Sequence, residues 1–558
     1  MSAIAPVDQL RLVLHRAGRL TRRLRLGAIA APLGRLRAAG GARSQLVIAP
    51  PDLRTADPTI AVEIYAGRFS FGGHAVETGG ATPFELHPPS EDWLRELHSF
   101  GWLRHLRAAD TPLARSNARA IVEDWLSLYR RPGGEIVWDA GVTAQRARSF
   151  LAQSPLVLHD ADHDLYQSFV RSLLRHASVL RAAIGTSEPG LPRIHAAIAI
   201  ALIGLSLSQQ ERLARQGLER IDQELQAQIL PDGGHVSRNP AALVEILVDL
   251  LPLRQALIAR GLVPSDTLIH SIDRMMPMLR FFRHADGAFA HFNGVAASAG
   301  GLVATLISYD ETLGTPASSA TYSGYERVER GGSLLLVDAG APPPIAHSSD
   351  AHAGTLSFEF SRGGQRIIIN CGAPASRHHH LRRAARRTAA HSTAVLNEES
   401  SSRFSGPAAN AQIVAGPRSV SCKRHSPEDG ATVLHLSHDG YSRNTGLVHE
   451  RSLRLSHDGR TLDGMDRFVG EPAAQKLSFA VRLHLHHAAI VRPTTRRTTV
   501  DLHMPDASIW RLEANGPVEV EESVHLSDIF GSRPSHQLVM TGNAASSVPV
   551  KWRLSQQA

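Results

Sequence analysis

A single change in hydrophobic period constrains the fold of this chain more than any other feature. From about residue 91 to 310, apolar residues return at helical spacing, as in Leu165, Phe169, Leu173 and Leu180, or Leu268, Ile272, Met275, Met276 and Leu279. This is the signature of amphipathic helices. The pattern breaks where turn chemistry demands it, at Pro189-Gly190 with Pro192, at Pro231-Asp232-Gly233-Gly234, and at Pro264-Ser265-Asp266, so the region reads as a run of helical hairpins. Pro277 falls inside the last strong helix and should kink it, because proline lacks the backbone donor. After Tyr322 the period drops to two: Leu356, Phe358 and Phe360, then Gly363-Gly364, then Ile367-Ile368-Ile369 give a strand, a tight turn and a strand. The pentapeptide Leu-Ser-His-Asp-Gly occurs at 436–440 and at 455–459, which suits Asp-Gly turns between strands. Further strands are expected within Leu477 to Val491 and Ala507 to Leu512. The expected organisation is a basic arm and lead-in over 1–90, a helical region over 91–310, a linker over 311–323 and an all-β region over 324–558.

At 558 residues the chain exceeds what one hydrophobic core usually holds. Its 43% hydrophobic and 20% charged residues describe a globular protein. The formal charge of +8 is concentrated in residues 1–54, where ten arginines face only Asp8 and Asp52. No nucleic-acid recognition motif follows that arm, so nucleic acid is not an expected partner. The arm either lies on an anionic membrane surface as a basic amphipathic helix or packs on the domain behind it. Arg11, Arg16, Arg19, Arg22 and Arg23 interrupt any secretory h-region, and Ala196 to Leu207 is too short to span a bilayer. The expected location is cytoplasmic or peripheral to the cell envelope. Cys371 and Cys422 are the only cysteines; they exclude a disulfide framework and leave one bridge open.

Histidine is plentiful, thirteen before residue 310 and seventeen after it, and most read as surface or turn residues. His378-His379-His380 has the look of a metal grip. However, adjacent side chains diverge, and Arg382, Arg383, Arg386 and Arg387 would repel a cation, so the segment reads as an exposed Arg-rich loop. His352 precedes one strand of the Gly363-Gly364 hairpin, Asn370 ends the other, and His391 lies in Thr388-Ala389-Ala390-His391-Ser392-Thr393. Two nitrogens and an amide oxygen can there meet a divalent ion such as zinc. Alternatively, each can cap a turn or hydrogen-bond within the β layers.

Gly331-Gly332, Asp338-Ala339-Gly340, His352-Ala353-Gly354-Thr355-Leu356-Ser357-Phe358, Asn370-Cys371-Gly372 and Ala390-His391-Ser392-Thr393, in that order, resemble the C-terminal domain of heparinase II/III-like proteins. His438-Asp439-Gly440-Tyr441, His449-Glu450-Arg451 and Arg482-Leu483-His484-Leu485-His486 extend the likeness. Gln228 to His235 is similar to a helical-hairpin turn of that family's N-terminal region. The resemblance covers roughly residues 90 to 555 and lies more in the order of the motifs than in any one of them.

The resemblance implies an incomplete N-terminal (α/α) toroid followed by a C-terminal antiparallel β-sandwich, with a substrate cleft where they meet. It also implies β-elimination on a uronic-acid-containing polysaccharide. That chemistry needs neutralisation of the uronate carboxylate, a base for the C5 proton and an acid for the leaving oxygen. Against the family pattern, Gly190 to His195 lacks the Asn-His pair, and Asn239-Pro240-Ala241 stands where a Tyr-His follows Ser-Pro. Gly354 replaces the aspartate of His-Ala-Asp, and Asn370 replaces an aspartate metal ligand. The remaining candidates are Arg238 and Asn239 to hold a carboxylate, with His235 or His352 as base or acid. His352, Asn370 and His391 are the candidate zinc ligands. The alternative to a lyase is a catalytically degenerate glycan-binding or envelope-associated scaffold. Trp93, Trp102, Trp125 and Trp138 can stack on sugars or, as their helical spacing suggests, pack a core.

Overall fold

The computed structural model describes Val13, Ala17 and residues 44–133, 136–297, 300–310, 314–374, 379–473, 477–527, 531–546 and 548–557. The expected membrane-facing or solvated arm therefore lies almost wholly outside the described residues, as does His378. His379–Ala385, expected as loop, is a short helix.

Helices follow the sequence punctuation. Ser90, Thr111, Asp139 and Asp162 each cap a helix by accepting backbone N–H groups, at Glu91–Ser99, Pro112–Leu128, Ala140–Ala152 and His163–Ile184. Gly190, at φ 103°, opens Leu191–Ser206. This helix is buried nearly all round from Ala196 to Ser206, which is why its sequence is an unbroken apolar run rather than a stripe. Against it lies Glu211–Gln228. A Cβ on Gly204 would come within 2.2 Å of the Ala214 nitrogen, and one on Gly217 within 2.5 Å of the Ala201 nitrogen, so glycine sets this helix spacing. Pro277 sits inside Asp266–Phe281 as expected, and Pro252 sits inside Ala241–Ala259. The lead-in holds structure that the periodicity did not reveal: a helix at Pro58–Tyr65 and a hairpin of Arg68–Phe71 with His74–Glu77.

All four tryptophans between 93 and 138 are core residues, at most 6% exposed, so packing and not sugar stacking is their role. Trp125 and Trp138 enclose the Arg146 guanidinium, 4.3 and 5.1 Å from their ring centres. Arg146 also donates to the His98 and Val137 carbonyls.

The second half forms two antiparallel sheets. One runs, in spatial order, Glu519–His525, Arg533–Asn543, Ser478–Leu485, Gln365–Ile369, Phe358–Arg362, Ser333–Asp338, Tyr325–Arg330 and Ser319–Ala320, with Ala394–Leu396 also paired to Ser478–Leu485. The other runs Val420–His425, Thr432–His438, Leu447–Leu455, Thr461–Gly470, Val550–Gln556, Ile509–Ala514, Thr499–His503 and Ile490–Pro493. Their inner faces share one apolar core. Phe358 stacks on Trp552 at 5.8 Å, Phe360 meets Trp510 edge-on at 5.4 Å, and Phe468 meets Phe479 at 4.9 Å. This is a sandwich. Leu447–Leu455 alternates buried and half-buried at every position, while Phe358–Arg362 is buried on both faces.

The two copies of Leu-Ser-His-Asp-Gly differ. At 455–459 the motif makes the expected tight turn, with Gly459 at φ 69°. At 436–440 it ends a strand and leads through Tyr441 into the helical turn Ser442–Thr445. Ser319–Ala320, at the end of the expected linker, is already an edge strand. Cys371 and Cys422 are unbridged.

The chain separates into two compact units. Of the described residues from 44 onward, one unit contains Ile229–Val244 and everything from Asp273 on; the other contains 44–228 and Glu245–Ile272. The Pro231-Asp232-Gly233-Gly234 turn and the end of the helical region thus belong with the sheets. Gly233, at φ 86°, holds this turn, since a Cβ there would lie 1.9 Å from the Arg274 carbonyl oxygen.

Inside the sandwich, Arg451 joins the two layers. Its Nε and Nη2 donate to Asp466 at 2.7 and 3.1 Å, and its Nη1 donates to the Leu356 and Ser392 carbonyls, both at 2.8 Å. His449 Nε2 donates to Asp466 at 2.8 Å and its Nδ1 accepts from His438 Nε2 at 3.3 Å. The Gly440 N–H fixes that tautomer by donating to His438 Nδ1. Burial opposes ionisation of Asp466, but Arg451 and His449 outweigh it and hold the carboxyl down at about 2. Asp466→Asn leaves the Arg451 charge buried without its counter-ion and is expected to cost about 3–5 kcal/mol in urea unfolding. Asp463→Asn, at a more exposed ion pair with Arg553, should cost no more than about 1 kcal/mol.

Candidate functional site

Arg238 lies in the turn ahead of the helix Ala241–Ala259, in a left-handed conformation at φ 60°. Its side chain is 7% exposed. Nε donates to the Ser323 carbonyl at 2.7 Å, Nη1 to the Gly340 and Ala341 carbonyls at 3.1 and 2.9 Å, and Nη2 to the Gly324 carbonyl at 2.8 Å and Asp338 Oδ1 at 2.6 Å. A guanidinium has five N–H groups, and all five are used. The face of the group lies 4.7 Å from the Tyr325 ring centre. The carboxylate clamp expected of Arg238 therefore has no donor to offer a substrate as the side chain stands. Its action is to fasten residues 229–244 to the first strands of the sheet.

Asn239 caps the helix that follows, its Oδ1 accepting the Ala241 N–H at 2.9 Å, and Pro240 occupies the first-turn position that suits proline. His235 is 3% exposed. Its Nδ1 accepts the Ser237 N–H at 3.2 Å and lies 2.7 Å from Ser237 Oγ. Here His235 bonds within its turn and Asn239 caps the helix.

A continuous polar chain leads from Arg238 to His352. Asp338 accepts from Arg238 and, through Oδ2, from Asn293 Nδ2 at 3.2 Å. Asn293 Nδ2 also donates to Tyr325 Oη at 2.7 Å, and that hydroxyl donates to the Arg238 carbonyl at 2.5 Å. Asn293 Oδ1 accepts the His352 N–H at 3.2 Å. His352 Nδ1 and His391 Nε2 are 3.0 Å apart, and His391 Nδ1 faces the Arg387 carbonyl at 2.9 Å. Because a carbonyl only accepts, His391 Nδ1 carries the proton, His391 Nε2 accepts from His352 Nδ1, and His352 Nε2 is left as the lone-pair atom. Burial keeps both rings neutral. It holds His391 down at about 4, and it holds His352 well below the ordinary imidazole range with help from His391, Arg386 and Arg382. The His391 ring fills the space beside Gly354, where a Cβ would come within 2.8 Å of it.

Asn370 is fully buried. Its Oδ1 accepts the Ser392 N–H at 3.0 Å, its backbone N–H donates to Glu359 Oε1 at 3.0 Å, and its Nδ2 faces the same oxygen at 3.4 Å. Glu359 also accepts from the His291 N–H at 2.9 Å and pairs with His284 at 3.0 Å. Burial opposes its ionisation, but these groups hold it at about 2. The zinc set expected of His352, Asn370 and His391 does not fit this geometry. The His352–His391 relay ends on the Arg387 carbonyl, so the atoms between the two rings are already assigned as donor and acceptor, and the Asn370 amide oxygen accepts the Ser392 N–H.

Sequence reasoning missed Asn293, Asp338, Tyr325 and Glu359. Asp338-Ala339-Gly340 was noted only as part of a pattern, and Glu359 sat on the strand face that alternation marks as outward. It also misjudged the histidines: His352, His391, His438, His449, His484 and His525 are all buried.

A helical region followed by an antiparallel sandwich is a heparinase-type fold. Residues 312–553 match the family model "Heparinase II/III-like, C-terminal", so this part of the chain is similar to that domain. The crystal structure of heparinase III superposes with a TM-score of 0.71 at 13% identity, covering 100% of this chain and 92% of that one. Heparan sulfate lyase HepC from Pedobacter heparinus superposes at 0.59 and 15%, covering 96% and 87%. The FtsZ-localized protein C of Caulobacter vibrioides (strain NA1000 / CB15N) is 29% identical over 526 residues, covering 91% of this chain and 89% of that one.

Asn370→Asp would set a second carboxylate against Glu359 and remove its amide donor. It is expected to lower stability by about 1–3 kcal/mol in urea, with zinc restoring none of it. The neutral imidazoles give a pH dependence of definite sign. Unfolded histidine takes up a proton near pH 6.5, whereas His291 and His391 resist it until about 4. Stability is therefore full above the unfolded value and falls as pH drops through the interval below it, by on the order of 3 kcal/mol per group at the acid end. Melting temperatures recorded from neutral to mildly acidic pH should decline across that window; a flat profile would contradict the assignment.

Proposed function

We propose that this protein is a non-catalytic descendant of the polysaccharide-lyase fold that works as an assembly protein at the cell envelope, together with FtsZ. The observation that carries this reading is the saturation of Arg238. The cation best placed by sequence to neutralise a uronate spends every donor inside the protein. The Asn239-Pro240 cap, standing where the family likeness expects a tyrosine and a histidine, supports the same reading. So does the relative whose name describes an FtsZ-localized protein, at 29% identity over nearly the whole length. An acidic glycan remains the ligand class suggested by the fold, bound without being cut. The basic arm would supply contact with anionic lipid.

One observation favours a second reading, retained β-elimination. His352 presents Nε2 as a lone pair, its ring oriented by His391 and the Arg387 carbonyl behind it, as a general base requires. Under this reading His352 would take the C5 proton of a uronate.

Two assays on the full chain separate these readings. Incubation with a panel of uronate polymers is expected to yield no ultraviolet signal from unsaturated uronate, while co-sedimentation with polymerised FtsZ is expected to be positive. An unsaturated product that disappears in His352→Ala, with no FtsZ sedimentation, would replace the first reading by the second. A fluorescent fusion, with and without residues 1–43, tests the location.

A further inference from the structure

Among the described residues, one group of potential metal ligands converges without a carboxylate, away from the His352–His391 pair. The turn that follows strand Ser478–Leu485 carries His486 and His487, and the strand Glu519–His525 ends on His525. One ring nitrogen from each of the three lies within 4.8 Å of the others. Ring centres are 4.2 Å apart for His486 and His487 and 5.1 Å apart for each of them with His525. His487 Nδ1 and His525 Nδ1 are only 2.9 Å apart.

The wiring of this group differs from that of the other histidine clusters. The His352–His391 relay ends on a carbonyl, and the His438–His449 relay ends on Asp466. Here the buried Nε2 atoms of His486 and His525 have no hydrogen-bond partner among the described residues. Buried polar nitrogens are normally paired, so two such atoms in one cluster mark a place whose bonding is completed by something else. Burial holds both rings in the neutral form that ligates metals. His486 and His487 are partly exposed while His525 is fully buried, which gives an ion a route in and a firm back wall.

We propose that His486, His487 and His525 form a three-histidine site for a divalent transition-metal ion, with solvent completing the shell. Three neutral imidazoles select borderline ions such as Zn2+, Co2+, Ni2+ or Cu2+ over Ca2+ and Mg2+, which demand oxygen ligands. The site is independent of the proposed function, since neither the FtsZ nor the elimination reading uses these residues.

The test uses untagged full-length protein, stripped with a chelator, loaded with Zn2+ or Co2+ and dialysed. Metal per chain is measured by mass spectrometry, and the visible absorption of Co2+ reports its geometry. The expected result is one ion per chain, with affinity at least tenfold weaker in His487→Ala. The ion should be retained undiminished in His391→Ala, which alters the separate His352–His391 relay. His487 lies in a partly exposed turn, so its variant should melt like the metal-free parent. If it does not, His486→Ala makes the same comparison from the neighbouring position. Retention of no ion by the parent, equal retention by both His487→Ala and His486→Ala, or loss of the ion in His391→Ala would overturn the assignment.

Discussion

The structure around the candidate site depends on a guanidinium with nothing left to give. Arg238 is a cation taken out of water, and burying such a group is costly unless every donor is met. Here every donor is met by four carbonyls and a carboxylate drawn from Ser323, Gly324, Asp338, Gly340 and Ala341. The consequence is architectural. A turn that belongs by sequence to the helical hairpins becomes part of the compact unit containing the sheets, and a non-glycine residue is held at φ 60°. Such a conformation persists only where the surroundings over-determine it.

The same logic runs through the imidazoles of the sandwich. A neutral histidine offers one donor and one acceptor in fixed directions, so a row of them conducts a hydrogen-bond sense from end to end. Gly440 sets that sense for His438, His449 passes it on, and Asp466 receives it. Arg451 then balances the carboxylate and reaches across to the opposite layer through the Leu356 and Ser392 carbonyls. Polar groups thus bind the two sheets at a point where apolar packing alone would leave their relative register loosely specified.

Local chemistry was legible in the sequence and distant chemistry was not. The breaks between helices and the Gly363-Gly364 hairpin depend on residues a few positions apart, and the pattern shows them. Arg238 reads from sequence as a clamp for a substrate carboxylate because its own acceptors lie 85 to 103 residues along the chain. Glu359 was invisible because alternation tells which residues share a face, not whether that face is covered. Here His284 and the backbone at His291 cover it. The repeated Leu-Ser-His-Asp-Gly makes the same point within one sheet. One copy closes a two-strand turn, while the other delivers His438 into a buried relay.

Whether a histidine cluster is scaffold or ligand set turns on where its hydrogen bonds terminate. A relay that ends on a carbonyl or carboxylate has assigned each lone pair along its length, and a cation entering it would have to displace a proton and break the chain. His352 and His391 are in that condition, with Asn370 Oδ1 already committed to Ser392. In this chain His352, His391 and Asn370 brace the interior through these bonds. Asparagine at 370 follows from this, because an amide can donate to Glu359 where a carboxylate would repel it. Asn370 and Arg238 alike spend their polar atoms on partners within the protein.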